Sequence, residues 1–138
     1  VGEGAAVVVT LDERRVTLLG LHPPSPTTGS RAAARNKLLA DAGDWVSGRS
    51  TPAVVVGDFN ATPWSAASRS LRWHGRLIDS LQGWGLQPSW PNGWGPLMIT
   101  IDNALHTLDL ATVDRRTGPA LGSAHRPLIV TIAAGTGS

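Results

Sequence analysis

The chain has 138 residues, enough for one domain with one core, and its 41% hydrophobic and 16% charged content is ordinary for a globular chain. The formal charge is only +2, from a basic balance carried by arginine, and is too weak by itself to argue for nucleic acid. The absence of cysteine excludes disulfides and thiolate metal sites, and neither a membrane-length apolar run nor a signal peptide is visible in this chain.

In chain order, apolar runs at 5–11 and 15–21 flank Asp12-Glu13-Arg14 and predict a hairpin. His22-Pro23-Pro24-Ser25-Pro26 cannot continue a strand and reads as a rigid extended loop. Ser30 is the expected cap of a helix reaching Val46, with Ala34, Leu38, Leu39, Ala42 and Trp45 on one stripe and Gly48 as its stop. Val54-Val55-Val56-Gly57 is an interior strand that ends abruptly, and Pro63 and Trp64 are expected to open a short helix through Leu71. The segment 83–95, rich in Trp, Gly and Pro, predicts a surface loop. Three strands follow at 98–106, 110–114 and 127–132, with a disordered tail at 135–138 after a domain spanning 1–134.

Four strand edges carry residues suited to phosphoester chemistry. Asp58 and Asn60 follow the interior strand, at the end where open α/β sheets hold ligands. If the backbone stays extended, alternation turns both side chains to one side, where a carboxylate and a carboxamide suit a hydrated cation and a phosphate oxygen. The bland alternative is an Asx turn in which Asp58 caps its own backbone. Ile99-Thr100-Ile101 delivers Asp102, Leu121-Gly122-Ser123-Ala124 leads to His125 and Arg126, and the strand 16–21 leads to His22. A lone histidine beside a strand is more often structural or solvated; four such edges together are harder to dismiss. Trp84, Trp90 and Trp94 read either as an aromatic wall for a base, a sugar or a lipid, or, the favoured reading, as rings plugging the loop onto the sheet. Arg126 suits a phosphate or a structural carboxylate equally. Arg31, Arg35 and Arg49 read as a solvated helix face, and His74 and His106 fall in no matching motif.

The order His-Pro, Gly-Asp-Phe-Asn-Ala-Thr-Pro, Ile-Asp, Gly-Ser-x-His-Arg-Pro resembles the endonuclease/exonuclease/phosphatase superfamily of metal-dependent phosphoesterases over nearly the whole chain. Its 61–65 stretch is similar to a bacterial branch in which some members carry membrane helices before the domain; localisation is left open, including a membrane-anchored or secreted parent. The resemblance implies an α/β fold, the C-terminal half of a four-layer sandwich of the DNase-like type. It implies that His125 activates or orients the attacking water and that Asp102 hydrogen-bonds this histidine. Asp58 would position the nucleophile or assist proton transfer, and is the residue offered to the metal. Asn60 and His22 would contact the phosphate, with Arg126 as a further substrate contact. The implied cofactor is Mg²⁺ or Mn²⁺, and the implied partner a phosphoester: nucleic acid, lipid or inositol phosphate.

Two departures from that pattern bear on activity. Ala124 stands where the family carries an acid beside the metal, and the family's metal-binding Glu belongs to a first half that precedes the matched region. Glu3 and Glu13 are candidates by residue type only, and neither is assigned. A half domain leaves an apolar sheet face open, so pairing with a second copy, pairing with a first-half chain, or membership of a longer protein is expected. The leading expectation is metal-dependent phosphoester hydrolysis that this chain alone does not complete; the alternative is a non-catalytic phosphate-binding or interaction module.

Overall fold

The computed structural model describes residues 4–11 and 13–135. A five-stranded mixed sheet forms its centre. Strands β1 (Gly4–Leu11) and β2 (Arg14–Leu21) make the expected antiparallel hairpin, turning at Glu13, which is exposed with φ of 66°. After helix α1 (Gly29–Ser47), strand β3 (Ala53–Asp58) returns parallel to β2. Helix α2 (Ala66–Gly75) leads to the two-residue strand β4 (Ile78–Asp79), and β5 (Asp102–His106) inserts antiparallel between β3 and β4, giving the order β1-β2-β3-β5-β4. Strands β6 (Leu110–Thr117) and β7 (Leu128–Ala134) form a separate antiparallel pair.

Period-two alternation divides the sheet's apolar residues between its faces. Leu19, Leu21, Ala53, Val55 and Leu105 join Leu39, Ala42 and Val46 of α1 and Ala67 and Leu71 of α2 in the main core. Val16, Leu18, Val54 and Val56 face the other way, toward Leu110 and Ile132 of the β6–β7 pair. The helices close tightly: a Cβ on Gly43 of α1 would lie 2.7 Å from the His74 Cβ of α2. Phe59, fully buried in the main core, anchors the chain just after β3 and fixes where its neighbours Asp58 and Asn60 emerge.

Several boundaries differ from expectation for local reasons. Thr28, not Ser30, caps α1: its Oγ1 accepts from the Arg31 N–H at 3.2 Å, while the Ser30 hydroxyl bonds to Thr28 instead. The buried stripe is Leu39, Ala42, Gly43 and Val46, with Ala34 exposed and Leu38 and Trp45 half-buried, and Gly48 ends the helix as expected. Helix α2 starts at Ala66 because Ser65 caps it, and it runs past Leu71 to Gly75. β5 begins at Asp102, since Ile99 pairs with Trp90 in an isolated bridge and not with the sheet. β4 escaped sequence reading because two residues carry no periodicity. Of the expected tail, 136–138 lies outside the described residues, as does Glu3. Among the described residues, no helix is long and apolar enough to cross a membrane.

Candidate functional site

The site gathers at the ends of β2, β3 and β5, where the loop before β7 folds over them. Gly57 makes the gathering possible. Paired with Leu21, it has φ of 147°, and a Cβ there would lie 1.9 Å from the Leu21 carbonyl oxygen. Only glycine lets β3 run this close to β2, so the ends of the two strands, His22 and Asp58, come together.

Asp58 stands at the centre. One carboxylate oxygen, Oδ1, accepts from the Asn60 N–H at 2.8 Å, so the Asx turn is present. The other, Oδ2, lies 3.8 Å from Nε2 of His125 and 3.8 Å from Nε2 of His22. The turn and the carboxylate–imidazole cluster therefore coexist: one oxygen caps the backbone and its twin faces two imidazoles. Burial, the largest cause, pushes the Asp58 carboxyl above the ordinary carboxylate range. The Asn60 N–H opposes this, Asp102 adds repulsion, and His125 and His22 pull it down.

Asp102 holds His125. Its Oδ2 lies 2.8 Å from His125 Nδ1 and accepts from the Ser89 hydroxyl at 2.6 Å, while Ser89 Oγ also receives the Asp102 N–H at 3.3 Å. The His125 N–H is satisfied by Ser123 Oγ, and the Trp90 ring sits 6.3 Å from the imidazole, tilted by 41°. Ser89 belongs to no motif because it lies in an aperiodic loop; its signal was the seryl hydroxyl beside Trp90 in the expected surface loop.

Asn60, with φ of 48°, departs from the extended geometry assumed from sequence. Its Nδ2 donates to the Pro23 carbonyl at 3.0 Å, and Arg35 donates to its carbonyl at 2.6 Å. Arg35 is thus a half-buried brace beneath the site; Arg49, exposed as expected, lies over the Trp45 ring at 3.8 Å. Arg126 makes no carboxylate pair among the described residues: its Nε donates to Asn92 Oδ1 at 3.0 Å, tying the last loop to the Trp-rich segment. Trp84, Trp90 and Trp94 all remain substantially exposed, so the rings do not plug the loop. His74 pairs with Asp44 on the helices and His106 is buried against Thr112, both outside the site. Asn103, beside Asp102, is buried and structural: it bridges Asp79 and the buried Arg115, whose guanidinium burial pushes below its usual range.

Asp58, Asp102 and His125 bring their ligand atoms within 4.8 Å of one another. The free Asp58 Oδ2, on a carboxylate whose charge burial leaves undercompensated, fits a hard divalent cation that uses one or two protein carboxylates and keeps several waters. Asp102 offers less, because its Oδ2 is already taken by Ser89 and His125.

Residues 2–125 match the sequence model of the Endonuclease/Exonuclease/phosphatase family. The chain belongs to that family. Solved structures repeat the fold at low identity. An endonuclease/exonuclease/phosphatase from Beutenbergia cavernae is 17% identical, with 96% of this chain and 39% of that one covered at a TM-score of 0.77. The catalytic domain of human Nocturnin, solved with bound sulfate, is also 17% identical, with 96% and 53% covered at 0.73. A mannosyl-6-phosphatase from Bacteroides thetaiotaomicron is 18% identical, with 88% and 52% covered at 0.60. The chain thus spans about half the length, or less, of these family-fold structures. No curated protein matches the sequence.

Proposed function

We propose that this chain carries the water-activating and phosphate-facing residues of a metal-dependent phosphoesterase. The observation that carries the reading is the Asp102–His125–Asp58 line, 2.8 Å and then 3.8 Å, with His22 on the same Asp58 oxygen. Asp102 would keep the proton on His125 Nδ1, which leaves Nε2 to orient and deprotonate a water placed beside it and Asp58. His22, 75% exposed in its side chain, is free to donate to a phosphate oxygen, and Asn60 lends its second amide hydrogen. Mg²⁺ or Mn²⁺, held by Asp58 with Asp102 beside it, would supply charge neutralisation for the phosphate and leaving oxygens. The substrate is a phosphoester.

Strand β1 supports a reading in which the site works joined to a second surface. Val7 and Val8, on opposite faces by alternation, are 53% and 48% exposed, and the Gly4–Leu11 edge has no charge to discourage pairing. A first-half chain or a second copy would cover it. Sedimentation of the chain checks this, and a monomer stable at high concentration contradicts it.

Ala124 favours a second reading, a non-catalytic phosphate-binding module, because it offers no ligand atom beside His125. Hydrolysis of bis-(4-nitrophenyl) phosphate in Mg²⁺ or Mn²⁺ separates the two. With a first-half fragment supplied, we expect Ala124→Asp to raise turnover, and adding Asp58→Asn or His125→Ala to lower it by about 100-fold or more. Phosphate binding with no metal-dependent turnover in any variant would favour the binding module.

A further inference from the structure

One cleft of about 650 Å³ extends from Asp58, His22 and His125 to residues that the hydrolytic reading leaves unused. Its lining joins three kinds of chemistry. Trp90, Ile99 and Ile101 supply apolar surface, with Trp90 37% and Ile99 38% exposed. Pro23, Pro24 and Pro26 supply a stiff border. Arg31, in the first turn of α1, supplies a guanidinium.

Two of these residues are held ready. Trp90 exchanges main-chain hydrogen bonds with Ile99, and the preceding residue, Ser89, is bonded to Asp102. The backbone that carries the indole is therefore held by the same segment that supports His125. Arg31 donates from Nε to the Ser25 carbonyl at 3.0 Å, so it is braced against the proline loop. Its terminal nitrogens have no carboxylate partner among the described residues, and the first turn of α1 carries no acid to neutralise it. A flat ring beside the water-activating histidine, and an unpaired cation on the same cleft, are unneeded for hydrolysis of a bare phosphate. They suit what is attached to it.

We propose that this cleft holds the organic substituent of the phosphoester and selects substrates bearing a planar aromatic ring and a second phosphate, Trp90 stacking on the ring and Arg31 pairing with the second phosphate. This rests on the proposed phosphoesterase reading. A ring–indole stack is sequence-tolerant and strong enough to dominate selection, and guanidinium–phosphate pairing is directional and charge-assisted. Trp90 and Arg31 are then specificity residues, and the reacting phosphate stays with Asp58, His22 and His125.

Calorimetric titration of the chain in Mg²⁺ with three probes tests this: adenosine 3′,5′-bisphosphate, ribose 5-phosphate and inorganic phosphate. The bisphosphate should bind about tenfold more tightly than ribose 5-phosphate. Trp90→Leu should erase the advantage of the ring, and Trp90→Phe, which keeps a flat ring, should restore most of it. Arg31→Gln should weaken the bisphosphate several-fold and leave inorganic phosphate unchanged. A 5′-phosphorylated tetranucleotide run in parallel assigns the source: preference for the bisphosphate marks a free nucleotide and preference for the tetranucleotide a strand end, and either supports the subsite. Equal binding of all probes, lost with His22→Ala, would overturn the subsite and leave the phosphoesterase reading standing. Ring-dependent binding indifferent to Asp58→Asn and His22→Ala would support the subsite and overturn that reading. Binding of no probe would overturn both.

Discussion

Two arms reach the same Asp58 oxygen at the same 3.8 Å, yet they are built differently. The His125 arm is supported in depth: Asp102 holds the ring, the buried Ser89 holds Asp102, and the 89–90 segment is bridged to Ile99. The His22 arm is mostly solvent-exposed and, among the described residues, its ring meets Asp58 alone, steered by the end of β2 and the prolines after it. A group that must take a proton in a fixed direction needs a fixed tautomer, whereas a donor to a phosphate can settle when the phosphate arrives. The difference in support therefore matches the difference in the proposed roles.

The largest expected effect comes where the arms meet. Gly57→Ala would force β3 away from β2 and part Asp58 from His22. We expect a loss of about 3 kcal/mol or more in stability, read by thermal or urea unfolding; a loss below about 1 kcal/mol would mean the strands can shift cheaply. Next, Asp102→Asn should leave the fold nearly unchanged but release the His125 tautomer, lowering hydrolysis in the Ala124→Asp background by about 100-fold. His22→Ala should cost about tenfold in the same assay. An effect of His22→Ala exceeding that of Asp102→Asn would reverse the assignment of roles.

Asp58→Asn sharpens the comparison through pH. The folded carboxyl is raised above its ordinary value of 3.8, chiefly by burial. The native state therefore gains from the protonated form below that value and loses this stabilisation as pH rises through the raised pKa. Asn keeps the acceptor for the Asn60 N–H without the charge. The melting temperature of Asp58→Asn relative to the parent should thus climb as pH is raised from 3.5 upward, and a flat or falling difference contradicts the strained carboxylate. The smallest change is Ser89→Ala, which removes a buried hydroxyl from Asp102 and should cost about 1 kcal/mol, seen in denaturant unfolding.

Sequence reading reached the His125 arm and the centre of the site because both lie on strand ends, where an apolar run and a sudden polar residue mark the boundary. Val54 to Val56, then Gly57 and Asp58, is such a boundary, and the buried Phe59 explains why Asp58 and Asn60 emerge around an apolar residue. What escaped was held together by contacts between segments far apart in the chain. Ser89 meets Asp102 across 13 residues, Arg35 meets Asn60 across 25, and Asn92 meets Arg126 across 34. Ser89, Arg35 and Asn92 fall in no motif, so residue type alone made Arg35 look like part of a solvated face. The turn at Asn60 escaped for another reason: alternation presumes extended backbone, and the Asp58 side chain bends it.

The most direct measurement is calorimetric titration of Mn²⁺ and Mg²⁺ into the chain, its Ala124→Asp variant and the Ala124→Asp/Asp58→Asn double variant. The account predicts saturable binding strengthened by Ala124→Asp and abolished when Asp58 is also changed, with His125 and Asp102 beside the ion. Binding that is indifferent to Asp58, or absent even after the acid is introduced, would contradict a divalent-cation site at the end of β3.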